Sequence, residues 1–505
     1  LQNSFDQISR PINQVLRPKR GLVSPNGRKT RWLGVAAALR QGIESGRFAP
    51  GEALPSTREL ARSFAVHRHT ALVALDALAA EGLLRSEPRR GYFVCAPAAE
   101  LARPQAAARA ARFSGFRLVR GAADAGAYPA PTSTIALHAA VPDAGLLPIA
   151  ELRAAYAHVL AKRGRAALAG VDERGLPGLR RELERYVRRA RGFVPRALLV
   201  THGSQEAIAL AAQVLVRPGE TVLVEDPGYP NAARVFRELG AEVVPLPVDA
   251  QGLRVDALAK CLAQRTVRLL YTTPNHHYPT TVTLAAPRRA ALLQLTRAHA
   301  VPVLEDDYDH EYHYRGIPQP PLAAAGDAPH VVYVGTLSKL VAPGVRVGFA
   351  CGDAQLIDAM VRVRSLVTRS NDGVTQAALA DWMSDGGLDR HLRRARRTYA
   401  LRRDAAVAVL ARAAQEVSLQ YTAPDGGLAI WTVWPDHDVL ALAKRAAAHG
   451  VSVLPEPLTR AQPQGQGMRL AFGAVTPAQF EQGLAVLLRE AKFAKLSRSA
   501  RRAAP

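Results

Sequence analysis

Across roughly the last 350 residues, short β-branched runs alternate with stretches of helical apolar period, and this alternation constrains the fold more than any other feature. The runs are Ala197–Val200, Thr221–Glu225, Glu242–Pro245, Val267–Thr272, Val301–Glu305 and His330–Val334. Strands separated by helical crossovers pair in parallel, so an α/β domain with a mostly parallel sheet is expected over 135–490. No internal repeat is visible. A hydrophobic share of 48% with 22% charged residues excludes a disordered, collagen-like or coiled-coil chain. There is no uninterrupted apolar stretch of about 18 residues to span a membrane. The first twenty residues lack the apolar core of a secretion signal. Cys95, Cys261 and Cys351 lie far apart and have no metal-ligand spacing; a cytoplasmic chain without a bound metal is expected.

The formal net charge is +23, which invites a nucleic-acid partner. The basicity is spread along the chain, however, and is carried mostly by Arg, so pattern has to decide where such a partner binds. Residues 97–134 run through Ala, Arg, Pro, Gly and Ser without sustained apolar period and read as a linker, with room for a short helix at Ala98–Arg112. Residues 1–29 read as an N-terminal extension and 491–505 as a loose basic tail.

The block 30–96 has its own pattern. Apolar positions Val35, Ala36, Leu39 and Ile43 predict a helix over Trp32–Ser45. Ser56, with Glu59 three residues later, has capping-box spacing for a helix over Thr57–Phe64. A turn at Ala65–Arg68 leads to a helix over about His69–Glu81, with Leu72, Leu75 and Leu78 inward. Two short strands, Leu83–Ser86 and Tyr92–Val94, follow around a basic hinge. Helix, turn, helix and hairpin is the order of a winged helix-turn-helix. The segment LPSTRELARSFAVHRHTALVALDALAAEGLLRSEPRRGYFV resembles the GntR-type DNA-binding domain. The resemblance implies DNA contacts from Ser56, Arg58, Arg68 and Thr70 at two helix starts, and from Arg90 and Gly91 at the wing. His67 and His69 flank Arg68 where relatives more often carry a small polar residue, which leaves the operator preference open.

Within the larger block, Lys339 follows a strand and a small-residue turn in VVYVGTLSKLVAPGVRVGF. A desolvated lysine beside cationic groups can attack an aldehyde to form an imine, although a lone Ser-Lys pair also suits a surface lysine. Asp306 sits at the carboxyl end of a strand, where open α/β sheets bind ligands, and would pair with a pyridine nitrogen above Lys339. Tyr308 could reach the ring's phenolate oxygen. The surrounding EDDYDHEY could otherwise be a solvated loop or a metal site. Gly203, Ser204 and Gln205 open a helix after a strand, a phosphate cradle or an ordinary cap. Arg346 would add a bidentate phosphate partner, with the hydroxyls of Thr336 and Ser338 beside it. Tyr229 could stack on a cofactor ring or be a turn tyrosine.

Gly203, Tyr229, Asp306 and Lys339, in that chain order, resemble the fold-type I aminotransferases over about Ile135–Leu487. The resemblance implies pyridoxal 5'-phosphate bound as an imine on Lys339, and an effector carboxylate on Arg469 in GMRLAFG. Joined to the GntR-like front, the chain resembles the MocR/GabR-type transcriptional regulators. That implies a cytoplasmic DNA-binding sensor of the cofactor or of an amino compound, assembled as a domain-swapped head-to-tail homodimer. A catalytically active aminotransferase with a DNA-binding head is the alternative. Two positions depart from the families: Tyr278 occupies the slot where transaminases carry Asn, with Thr281 for the usual Gly, and Gly170 replaces a tyrosine expected to reach the neighbouring subunit's phosphate.

Overall fold

The structure, a computed structural model, describes residues 31–88, 90–95, 135–170, 172–326 and 328–502. The extension 1–29, the linker 97–134 with its expected helix, and Arg89 of the wing hinge lie outside these residues. The chain divides into two compact units, Leu1–Leu118 and Val119–Pro505.

In the first unit, α1 (Arg31–Glu44), α2 (Thr57–Ser63) and α3 (Arg68–Ala80) precede an antiparallel hairpin of β1 (Leu84–Glu87) and β2 (Gly91–Val94). The Ser56 side chain accepts from Glu59 N while the Glu59 carboxylate accepts from Ser56 N, completing the capping box. His67 rather than a small polar residue caps α3, its Nδ1 accepting from His69 N at 3.3 Å. The core joins Val35, Ala36 and Leu39 of α1 to Ala71, Ala74, Leu75 and Leu78 of α3. Leu72, expected inward, is instead 38% exposed, because the buried stripe of α3 runs through positions 71, 74, 75 and 78.

The second unit is built on an eight-stranded sheet in the order β4-β11-β10-β9-β8-β5-β6-β7. Its strands are β4 (Ala197–Thr201), β5 (Thr221–Asp226), β6 (Glu242–Asp249), β7 (Gly252–Leu253), β8 (Val267–Thr272), β9 (Val303–Asp307), β10 (Val331–Thr336) and β11 (Gly348–Gly352). The neighbours β10/β9, β9/β8, β8/β5 and β5/β6 are parallel, whereas β11 runs antiparallel to both β10 and β4. Side-chain alternation sorts the two faces. Leu199, Val332, Val334 and Ala350 join one buried cluster with Ile208, Phe236 and Met360, while Leu198, Val200, Tyr333 and Phe349 join another with Leu179, Leu183 and Val187.

An antiparallel sheet of β12 (Gln420–Thr422), β13 (Ala429–Val433), β15 (Leu454–Pro455) and β16 (Gly467–Ala471) carries Arg469. Short β3 (Ile135–Ala136) pairs in parallel with β14 (Val451–Ser452). The last helix runs Pro477–Arg502, so the backbone of the tail expected to be loose is helical for most of its length.

Candidate functional site

The carboxyl ends of β4, β9 and β10 border a cavity of about 230 Å³. At one end, Gly203 precedes the helix Ser204–Leu215 with φ 81°, a conformation a side chain would strain. No side chain caps this helix, so its first N–H groups face outward for an anion. Gly348 of β11 lets the Gly203 backbone approach closely: a Cβ there would meet Gly203 backbone carbon at 2.6 Å and Ser204 N at 2.9 Å. Arg346 stands opposite, donating from Nη2 to the His202 carbonyl at 2.8 Å. Thr336 ends β10 and its Oγ1 accepts from Ser338 N at 3.1 Å; the Ser338 hydroxyl is buried with no partner.

In mid-cavity, Tyr229, Tyr308, Asp306 and Lys339 come together. Asp306 is buried; its Oδ2 accepts from the Tyr271 hydroxyl at 2.8 Å and its Oδ1 has no partner. Burial raises this carboxyl to about 7, against the donation from Tyr271. Lys339, on the loop after β10, donates from Nζ to the Ala140 carbonyl at 2.8 Å. Burial, reinforced by the Arg469 guanidinium, lowers its ammonium to about 8. Tyr308 donates its hydroxyl to the His276 carbonyl at 2.6 Å.

At the third end, Arg469 lies over the Tyr278 ring, 4.8 Å from its centroid, and donates to the Tyr308 hydroxyl at 3.4 Å. Its Nε is buried without a partner. Tyr278 meets Tyr229 edge to face at 5.2 Å, so the slot that transaminases fill with Asn is here part of an aromatic wall.

The three orphaned atoms, Asp306 Oδ1, Ser338 Oγ and Arg469 Nε, all belong to residues lining one cavity. Buried polar groups normally find partners, so this triad fits a guest with an acceptor for Ser338, a ring N–H for Asp306 and a carboxylate for Arg469. Tyr271 is the site residue that sequence reasoning missed: in VRLLYT a tyrosine reads as strand core. Tyr271→Phe removes the donor that orients Asp306. It is expected to weaken pyridoxal 5'-phosphate binding by roughly tenfold or more, the scale of a hydrogen bond to a charged group. Absorbance titration checks this, and an unchanged dissociation constant with only a lowered melting temperature would reduce Tyr271 to packing.

The acid-rich run is buried rather than a solvated loop. Each acid has its own partner: Glu305 accepts from Leu322 N and Ala323 N, Asp309 meets His276 Nδ1 at 2.8 Å, and Asp307 accepts from Tyr333 at 2.9 Å. Arg191, 116 residues before Asp307, pairs with it at 3.2 Å and also with Glu311, all three buried. Among the described residues no group of three or more His, Cys, Asp or Glu is arranged to hold a metal ion, and no helix is long and apolar enough to cross a membrane.

In the first unit, Ser56, Arg58 and Arg68 are exposed at the starts of α2 and α3, and Thr70 is half-buried in the first turn of α3. Arg68 Nε reaches Thr57 Oγ1 at 3.4 Å, tying the two helix starts together. Arg90 and Gly91 are exposed at the hairpin tip, where Arg90 pairs with Glu87 at 2.7 Å and lies over Phe93.

Residues 137–487 match the family model of class I and II aminotransferases, and residues 33–94 that of the gntR family of bacterial regulatory proteins. The fold therefore defines a two-part regulator, a helix-turn-helix DNA-binding head joined to a domain whose class implies pyridoxal 5'-phosphate. The HTH-type transcriptional regulator TauR of Rhodobacter capsulatus is 32% identical, over 92% of this chain and 98% of its own. The probable rhizopine catabolism regulatory protein MocR of Rhizobium meliloti is 31% identical, over 88% and 90%. The chain belongs to the MocR-type transcriptional regulators. Among solved structures, the multiple substrate aminotransferase of Thermococcus profundus is similar at 28% identity with a TM-score of 0.68, over 73% of this chain and 93% of that one.

Proposed function

We propose that this regulator holds pyridoxal 5'-phosphate through Lys339 and changes its DNA binding when a small amino compound competes with that lysine. The convergence of Asp306 Oδ1, Ser338 Oγ and Arg469 Nε, all unpartnered, on the cavity of Lys339 carries the reading. When bound, the cofactor supplies an aldehyde carbon open to a primary amine and a ring that withdraws electrons once its nitrogen is protonated. Gly203, Ser204, Gln205, Thr336, Ser338 and Arg346 would hold its phosphate. Tyr229 would pack against the ring, Asp306 would hold the ring-nitrogen proton, and Tyr308 would serve the phenolate oxygen. Arg469 would orient the carboxylate of an amino effector, and Lys339 would be the amine that the effector competes with.

The domain bounds proposed are 30–96 for the DNA-binding head, 97–134 for the linker and 135–490 for the sensor. The protein works in the cytoplasm as a head-to-tail homodimer on double-stranded DNA, with Ser56, Arg58, Arg68, Thr70, Arg90 and Gly91 at the contact. A few kcal/mol of differential effector affinity suffices to shift a two-state equilibrium of the paired heads.

The test joins both ends. Operator binding by the cofactor-loaded chain is measured with and without a panel of amino acids. At least one is expected to change the affinity, and Arg68→Ala is expected to weaken binding by roughly tenfold, as loss of a base or phosphate contact does. Steady release of a keto acid from an amino donor, with DNA affinity indifferent to it, would favour an enzyme over a sensor.

A further inference from the structure

A second cavity, of about 280 Å³, lies beside the first. The segment 273–278 borders both: Thr273 and Tyr278 line the first cavity, Asn275 and His276 the second. The second cavity gathers three imidazoles. His276 and His310 are 5% and 7% exposed, and each is held through Nδ1, His276 by Asp309 at 2.8 Å and His310 by Asp307 at 3.2 Å. His313 stacks on His276, 6.0 Å between centroids and 9° from parallel, and its Nε2 is buried without a partner.

Other donors converge there. The helix Ala286–Ala298 starts at the cavity with no side-chain cap, so the Ala286 N–H is an open donor. Arg315 contributes a guanidinium at the exposed rim, where its nearest carboxylate, Asp404, is 3.6 Å away. Asp425 is the single acid among the lining residues. Asp309, 2.8 Å from His276 Nδ1, works against burial and raises the proton affinity of His276. A neutral or cationic guest would leave these donors unpaired, at the cost that attends any buried polar group without a partner.

We propose that this cavity binds a small oxyanion, a carboxylate or phosphate monoester, between His276, His313, Arg315 and the start of the helix Ala286–Ala298. His276 also joins the second cavity to the first site, because its carbonyl accepts from the Tyr308 hydroxyl at 2.6 Å. The proposal does not depend on the cofactor reading.

Isothermal titration with inorganic phosphate and, separately, with succinate tests it. Phosphate also suits the Gly203 cradle, so Arg346→Gln and Arg315→Gln are compared. The wild-type chain is expected to show two classes of phosphate site, with Arg346→Gln weakening one at least tenfold and Arg315→Gln the other. Prior loading with pyridoxal 5'-phosphate is expected to abolish only the class that depends on Arg346. If loading abolishes neither class while Arg315→Gln still acts, the cofactor reading fails and the second site stands. Tighter phosphate than succinate at the Arg315-dependent site assigns a phosphate monoester, and the reverse a carboxylate. His313→Gln is the second variant, with circular dichroism to verify folding. Wild-type affinity for both anions in both folded variants would overturn the proposal.

Discussion

Lys339→Ala is expected to abolish the visible absorbance that the wild-type chain develops with pyridoxal 5'-phosphate, and with it any effect of amino compounds on DNA affinity. The cavity supports this through position and charge together. Lys339 Nζ shares the cavity with Asp306 and Arg469, and its lowered ammonium, about 8, makes it a competent nucleophile near neutrality. At pH 7 about one molecule in ten then carries the neutral amine, against about one in three thousand for an ordinary lysine. The rate of band formation should accordingly rise through pH 8 and level off above it, whereas an unperturbed lysine would keep rising to beyond pH 10. The variant retains Ser338, Arg346 and the Gly203 turn, so weak noncovalent cofactor binding persists and equilibrium dialysis separates it from loss of fold. A visible band and an effector response that both survive the substitution would remove Lys339 from its role.

Arg191→Met should cost about 3–5 kcal/mol, the scale of stripping one partner from a buried ion pair. Arg191 is 4% exposed and donates to the Tyr333 hydroxyl at 2.6 Å while facing Asp307 and Glu311. Methionine fills the volume but leaves Asp307 buried beside fewer cations. In the wild-type chain His310 and Arg191, working against burial, hold the Asp307 carboxyl well below its usual range. A depressed carboxyl contributes stability above its unfolded pKa, near 4, and that contribution is lost as the pH falls. The gap in unfolding free energy between wild type and variant should therefore be widest near neutrality and narrow below about pH 4. Chemical denaturation across that range measures it. A flat difference would mean that Arg191 stabilises through packing alone.

Much of this was legible in the sequence, for physical reasons. Six strands of the large sheet announced themselves through short apolar runs, and four of them, β5, β8, β9 and β10, are buried almost throughout. Strand β11, GFACG, was not legible: it is short and rich in small residues so that Gly348 can sit against Gly203. The antiparallel sheet that carries Arg469 gave only the GMRLAFG signature, because β16, GMRLA, holds no β-branched residue although it is buried along its length. Cavity residues could be read where a side chain has few other excuses, as with Asp306 at a strand end. Tyr271 could not, because nothing local separates a tyrosine that orients a carboxylate from one that fills a core. Nor could the Arg191–Asp307 pair, whose members meet only through the fold. Leu72 erred in the opposite sense: three leucines at spacing three suggested one stripe, and alanines supplied half of the real one.

Two neighbouring aspartates on β9 have opposite fates because successive side chains on a strand leave by opposite faces. Asp306 opens to the cavity while Asp307 turns toward Arg191 and Tyr333. A slip of β9 by one residue against β8 and β10 would exchange them without altering composition, charge or length. It would put the ion-paired acid into the cavity and the cavity acid into the core. The cavity is thus hostage to strand alignment, and a single-residue insertion or deletion between 300 and 305 would disrupt it more thoroughly than most substitutions among its lining residues.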